Sequence, residues 1–190
     1  MSETLRAFIA LDLPEDAKNI LAHFVEKQKF LYPEGKWVRR EHFHITLAFF
    51  PAFPFHRLRE VQNILEDLGA AFSPYHTFLE EAGTFPSWQR ARVLWMGLDE
   101  EGKRKTKAIV EAMSQKLRAA GIAYEEDREF VPHVTLARFK APKKLERTSF
   151  LSWSPIPVTI GEIALFESIL RPSGPEYRKL VCVPLKGVRA

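Results

Sequence analysis

The 190-residue sequence holds one cysteine, Cys182, so it can build neither a disulfide framework nor a cysteine zinc cage. Lying in the apolar run Leu180 to Leu185, that thiol reads as a small buried hydrophobe. Glycine is scarce, nine residues, and neither Gly-x-x-x-x-Gly-Lys nor Gly-x-Gly-x-x-Gly occurs, which argues against a nucleoside triphosphatase or a dinucleotide enzyme. No apolar stretch approaches the roughly 18 residues that cross a bilayer. The short apolar run near the N-terminus carries Glu3 and Asp12 around it, unlike a secretory signal. The expectation is therefore a soluble, cytoplasmic protein with no membrane partner. A strong charge of either sign is also missing, since 28 Lys+Arg against 24 Asp+Glu leave +4.

What is present is globular. A hydrophobic content of 46% with 12% aromatics excludes disorder, and the length suits one domain or two small lobes. Charge is divided unevenly: residues 1–100 carry 11 basic and 14 acidic groups, whereas residues 101–190 carry 17 and 10. The basic second half admits an anionic partner, although runs such as Lys103-Arg104-Lys105 usually coat a solvated helix face.

Short strands alternate with helices. From Leu5 to Leu11, Arg6, Phe8 and Ala10 share one face and Ala7, Ile9 and Leu11 the other, the pattern of a central strand. Pro14 suits the first turn of a helix with Ala17, Ile20, Leu21 and Phe24 at helical spacing. A second helix covers Leu58 to Leu68 with Gly69 as its stop, and a third runs from about Lys105 to Ala120 with Gly121 at its C-terminal cap. Further strands are expected at His76 to Glu81, Ala91 to Leu98, Val131 to Phe139, Val158 to Phe166 and Tyr177 to Pro184. The stretch Ala141 to Pro157 reads as a loop or plain connection.

An internal repeat turns this series into an architecture. His44-Ile45-Thr46-Leu47-Ala48-Phe49-Phe50 and His133-Val134-Thr135-Leu136-Ala137-Arg138-Phe139 are identical at five of seven positions, and their histidines stand 89 residues apart, close to half the chain. Residues i and i+2 of a strand share a face, so each copy presents His and Thr together while Ile45/Leu47 or Val134/Leu136 pack behind. A single copy would read as an ordinary strand. Core packing gives no reason to repeat a polar imidazole at equivalent places, and burying two without a task would leave polar groups unsatisfied. Two imidazoles that titrate near neutrality and two hydroxyl donors match in-line displacement at phosphorus. One His removes the nucleophile's proton, the other protonates the leaving oxygen, and the threonines hold the non-bridging oxygens. That inventory requires no metal or cofactor.

The two His-x-Thr-Leu segments resemble those of the two-histidine (2H) phosphoesterases, in particular the LigT-like RNA 2′,3′-cyclic phosphodiesterases, also called 2′-5′ RNA ligases. Supporting segments are Arg6-Ala7-Phe8-Ile9-Ala10, Gly83-Thr84-Phe85-Pro86, Arg92-Val93-Leu94-Trp95, and Phe166-Glu167-Ser168 with Gly174 and Tyr177, so the resemblance spans nearly the whole chain. It implies an α+β fold of two pseudo-twofold-related lobes, each an antiparallel sheet backed by helices, with a central cleft. Residues 1–190 would form a single bilobed domain with one His-x-Thr motif per lobe. It also implies opening of a terminal 2′,3′-cyclic phosphate on RNA, tRNA halves included, or on a nucleotide to a 2′-phosphomonoester, with ATP-independent 2′-5′ ligation in some members. By the same resemblance His44 is the proton donor and His133 the proton acceptor, while Thr46, Thr135 and Arg138 bind the phosphate. No oligomer is demanded, and a monomer is expected.

Two departures stand out. Relatives commonly read Leu-Gly where this chain has Phe50-Pro51-Ala52-Phe53-Pro54, so the segment leaving the first motif is expected to take another path. Strict alternation also turns Arg138 away from His133, so it reaches the phosphate only if the strand ends, twists or bulges nearby. Other readings are a non-catalytic module that grips RNA ends and a phosphodiesterase for another small cyclic phosphate. His42 and His44 form a His-x-His pair of the kind that ligates metals, but no third ligand lies near in sequence. His23, His56 and His76 read as surface or structural. Of the aromatics Phe8, Trp37, Phe85, Trp88, Trp95 and Trp153, one or two are expected to touch a base and the rest to be core.

Overall fold

The computed structural model describes residues 4–125, 129–150, 154–172 and 174–187; Trp153 lies outside them. Nine strands and three long helices follow one another along the described chain: β1 (Thr4–Asp12), α1 (Glu15–Leu31), β2 (Lys36–Trp37), β3 (His44–Pro54), α2 (Leu58–Ala71), β4 (Tyr75–Phe85), β5 (Ala91–Leu98), α3 (Glu100–Ala119), β6 (His133–Lys143), β7 (Ile156–Ile160), β8 (Glu162–Arg171) and β9 (Gly174–Pro184). The strands form an antiparallel sheet in the order β7-β4-β5-β6-β3-β1-β8-β9, with β2 pairing β6. The two halves of the sheet meet at one recorded pair, Ile45 with Val134. Each half holds a strand–helix–strand unit, β1-α1-β3 or β5-α3-β6, whose second strand carries one His-x-Thr motif. This is the α+β arrangement of antiparallel sheet and helices that the resemblance implies.

Alternation in β1 separates two environments. Ala7, Ile9 and Leu11 enter the main core, whereas Phe8 and Ala10 join Ala164 and Phe166 in a small cluster on the other face, with Phe49 and Tyr177 against it. Fully buried Phe43, Phe50 and Phe53 anchor the main core, each side chain contributing about 1.5–3 kcal/mol of burial. Helix α3 starts at Glu100, earlier than periodicity suggests, because the Asp99 carboxylate accepts from the Gly102 amide at 2.7 Å and caps it. Gly121, at φ +66°, follows its end as expected.

Several expectations are corrected. Gly69 lies within α2, which runs on to Ala71; a Cβ there would meet Val183 Cγ1 at 2.5 Å and the Pro184 carbonyl oxygen at 2.7 Å, so the glycine admits β9 rather than ending the helix. Cys182 is exposed, because β9 directs Val183 and Leu185 inward instead. Ile20 is 47% exposed, and Val25 and Gln28 complete the buried stripe of α1. The expected strand over 158–166 is two, β7 and β8, divided at Gly161. The Ala141 to Pro157 stretch is not a plain loop: β6 extends to Lys143, a 3₁₀ turn spans Arg147–Phe150, and β7 begins at Ile156. The segment Phe50–Pro54 continues β3, pairing Phe53 with Leu5 and Pro54 with Thr4, with Pro51 and Ala52 bulged opposite Arg6. No described helix is long and apolar enough to cross a membrane.

Candidate active site

The Ile45–Val134 pair fixes the geometry of both motifs. In an antiparallel register centred there, His44 falls across from Thr135, and Thr46 falls across from His133. Each histidine thus stands level with the threonine of the other half. All four residues line one cavity of about 370 Å³, together with Arg6, Phe8, Val38, His42, Phe49, Glu125, Arg138, Ser168 and Tyr177.

A matching irregularity in the two halves brings Arg138 into that cavity. On β3, Thr46 pairs with Ala10 but Ala48 with the adjacent Ile9, so Leu47 is an extra residue; on β6, Thr135 pairs with Trp95 and Ala137 with Leu94, so Leu136 is extra. Each bulge shifts the alternation by one. Phe49 and Arg138 consequently turn to the cavity, while Phe50 and Phe139 enter the core. Of the end, twist or bulge that strict alternation left open for Arg138, the strand has the bulge.

Both histidines are half-buried and held in the same way. His44 Nδ1 is 2.7 Å from the carbonyl oxygen of His42, and His133 Nδ1 is 2.7 Å from that of Val131. A carbonyl only accepts, so in each neutral ring Nδ1 carries the proton and Nε2 is the position at which a proton is gained. The Thr46 hydroxyl donates to His44 Nε2 at 3.0 Å. Aromatic rings fix both imidazoles. Phe8 stacks on His44 at 4.7 Å and Tyr177 meets it edge-on at 5.5 Å; Phe85 and Trp95 lie 5.2 and 5.7 Å from His133.

Burial pushes the His44 imidazole down to about 4, against the carbonyl bond and the Asp12 carboxylate, which favour the charged ring; His42 and Lys18 add to the depression. Asp12, paired with His44 in the ladder, accepts from Lys18 at 2.7 Å and Lys179 at 2.8 Å. Burial would raise its pKa, but the two lysines prevail and hold it below the usual carboxylate range. In the free protein His44 is therefore neutral at pH 7. An NMR titration should give a His44 midpoint near 4, moving upward if an anion binds beside Nε2. A free-state midpoint at the ordinary 6.5 would sink this account. The sign for stability follows: the folded state binds fewer protons than the unfolded chain between about 6.5 and 4, so stability falls as pH drops through that window.

The other candidates separate clearly. His42 lines the cavity and packs against Tyr177 at 4.4 Å, but no three His, Cys, Asp or Glu converge among the described residues. His23 and His56 are exposed, and His76 bonds the Thr159 hydroxyl. Trp37 and Trp88 pack against the main core. Sequence reasoning passed over Phe49, Tyr177, Ser168 and Arg6 as cavity residues. The signal was available for Phe49, which occupies the repeat position of Arg138, and for Arg6, which shares the Phe8 face.

Comparison with known proteins bears on the family and the fold. A family model described as the 2′-5′ RNA ligase superfamily matches residues 14–169. A Methanocaldococcus jannaschii protein named RNA 2′,3′-cyclic phosphodiesterase is 31% identical over 179 residues, covering 91% of this chain and 96% of its own. A Methanothermobacter thermautotrophicus protein of the same name is 28% identical over 178 residues, covering 91% and 95%. The crystal structure of a Thermus thermophilus protein superposes with a TM-score of 0.81 at 26% identity, over 97% of this chain and 100% of that one. Escherichia coli LigT complexed with 3′-AMP shares the fold at a TM-score of 0.77 and 24% identity, over 96% and 99%.

Proposed function

This chain belongs to the 2′-5′ RNA ligase superfamily, and from that membership we propose that it is an RNA 2′,3′-cyclic phosphodiesterase. The observation that carries the reading is the opposed pair of His-x-Thr motifs lining one cavity. Water enters beside His133, whose Nε2 takes its proton as the oxygen attacks phosphorus. The bond from phosphorus to the 3′ oxygen breaks, His44 Nε2–H protonates that oxygen, and a 2′-phosphomonoester remains. Thr46, Thr135 and Arg138 hold the non-bridging oxygens as charge builds on them.

His44 must acquire its proton with the substrate. The cyclic phosphate is a monoanion, and its charge beside Nε2 favours the imidazolium that burial disfavours. The Thr46 hydroxyl, which donates to Nε2 in the free protein, is then released to donate to a phosphate oxygen. Replacing water by a ribose 5′-hydroxyl at His133 gives ligation with the same proton movements and no ATP.

The test is incubation with a 2′,3′-cyclic-ended oligonucleotide in EDTA. Release of a 2′-phosphate is the expected result, whereas saturable binding without product would reduce the protein to an RNA-end binding module. Activity lost in EDTA and restored by zinc would overturn the metal-independent mechanism. Comparing mononucleotide, oligonucleotide and tRNA-half substrates identifies which cyclic phosphate it serves.

A further inference from the structure

The cavity carries more positive charge than one cyclic phosphate uses. Arg6 and Arg138 both line it, and neither has a carboxylate in salt-bridge contact among the described residues. The helical run Lys103-Arg104-Lys105 is the opposite case, paired with Glu81, Glu100 and Glu101. Two open guanidiniums in one cavity therefore stand apart from the neutralised basic surface. The only acidic residue among the cavity's described lining is Glu125.

The two arginines also stand at different distances along their strands from the threonine pairs. Arg138 pairs with Val93, two residues along β5 from the Trp95 level of Thr135, about 7 Å of strand. Arg6 is four residues along β1 from Ala10, the level of Thr46, about 13 Å of strand. Its guanidinium lies over the Phe49 ring, 4.3 Å from the centroid. Continuing the β1–β8 register past Ala7–Glu167 sets Ser168 beside Arg6, and Ser168 pairs with Tyr177 on β9. The Ser168 and Tyr177 side chains line the cavity and donate no recorded hydrogen bond among the described residues. Burial raises the Tyr177 phenol, against the fields of Arg138 and Arg6. That phenol is consequently a neutral donor exposed to the fields of both cations.

We propose that Arg6, with the Ser168 and Tyr177 hydroxyls, forms a second phosphate subsite that takes the phosphate on the 5′ side of the terminal nucleotide. This rests on the phosphodiesterase reading for the identity of the first phosphate. His44, His133, the two threonines and Arg138 serve the cyclic phosphate, and the nucleoside lies between that end and Arg6. A guanidinium matches an additional phosphate monoanion through paired N–H donors, and the Phe49 face beneath it fixes its plane. The subsite distinguishes the end of an RNA chain from a free nucleoside cyclic phosphate.

Calorimetry separates this from turnover. The wild-type protein should bind adenosine 2′,5′-bisphosphate about 10–100-fold more tightly than 2′-AMP, with a steeper salt dependence. Arg6→Ala should bring the ratio of the two affinities close to one, and Arg6→Lys should restore part of it. A wild-type ratio near one, or a preference that survives Arg6→Ala, overturns the proposal. Equal loss of affinity for both ligands in Arg6→Ala would also overturn it, because Arg6 would then serve the first phosphate. These measurements need no catalysis, so an absence of cyclic phosphate hydrolysis would count against the function alone. In an active protein, the preference for 5′-phosphorylated over unphosphorylated adenosine 2′,3′-cyclic phosphate in kcat/KM should collapse in the same variant.

Discussion

Replacing His133 or His44 by Ala should lower turnover of a cyclic-ended oligonucleotide by about 10²–10⁴ or more, the loss expected when a positioned acid or base is removed. Both side chains border the cavity and their ladder neighbours Ile45 and Val134 are buried, so each variant should fold, which circular dichroism checks. The two roles can be told apart by leaving group. A diester that expels nitrophenolate needs no proton on the departing oxygen. His44→Ala should lose no more than about tenfold on that substrate, whereas His133→Ala should lose as much as on RNA. The reverse pattern would exchange the roles, and full activity in His133→Ala would eliminate the mechanism. The pH profile offers a second check. A protonated donor and a neutral acceptor give a bell-shaped rate whose two apparent values belong to the pair. A monotonic profile with chemistry rate-limiting would count against paired acid–base roles.

Gly83→Ala should be damaging although Gly83 lines neither the cavity nor a turn. A Cβ there would lie 2.1, 2.3 and 2.5 Å from three ring atoms of Trp95, and a flat, buried indole cannot yield as a flexible chain can. Trp95 is 8% exposed, and its Nε1–H is buried without a partner, so no polar contact guides it to another place. The ring packs on Phe85 at 5.3 Å and His133 at 5.7 Å. Displacing it should destabilise the fold by about 1–3 kcal/mol and shift His133, the proposed proton acceptor, lowering kcat more than it raises KM. Denaturant unfolding and steady-state kinetics measure the two parts. Adding Trp95→Leu should recover stability by removing the clash without recovering the rate, since the ring that positions His133 is then absent. Unchanged stability and kcat in Gly83→Ala would show that the indole does not position the ring.

Much of the site was legible because its logic is local. His-x-Thr spacing with period 2 puts imidazole and hydroxyl on one face whatever the rest of the chain does, and the repeat says that this happens twice. Alternation in β1 likewise put Phe8 and Ala10 on the face opposite Ala7, Ile9 and Leu11, and that division holds. Gly69 and Cys182 were misread because their environments come from partners distant in sequence: β9 lies against the glycine, and the inward places go to Val183 on that strand and Leu185 just after it.

The duplicated motif by itself offered two imidazoles and two hydroxyls on matching faces, and strict alternation asked for an end, twist or bulge if Arg138 was to join them. Only the tertiary structure decided that the halves meet at Ile45 and Val134, setting each histidine level with the other half's threonine. It also decided that Arg6, Ser168 and Tyr177 border the same cavity. The physical reason is that a strand fixes which face a side chain takes, whereas pairing between distant strands fixes what stands across from it.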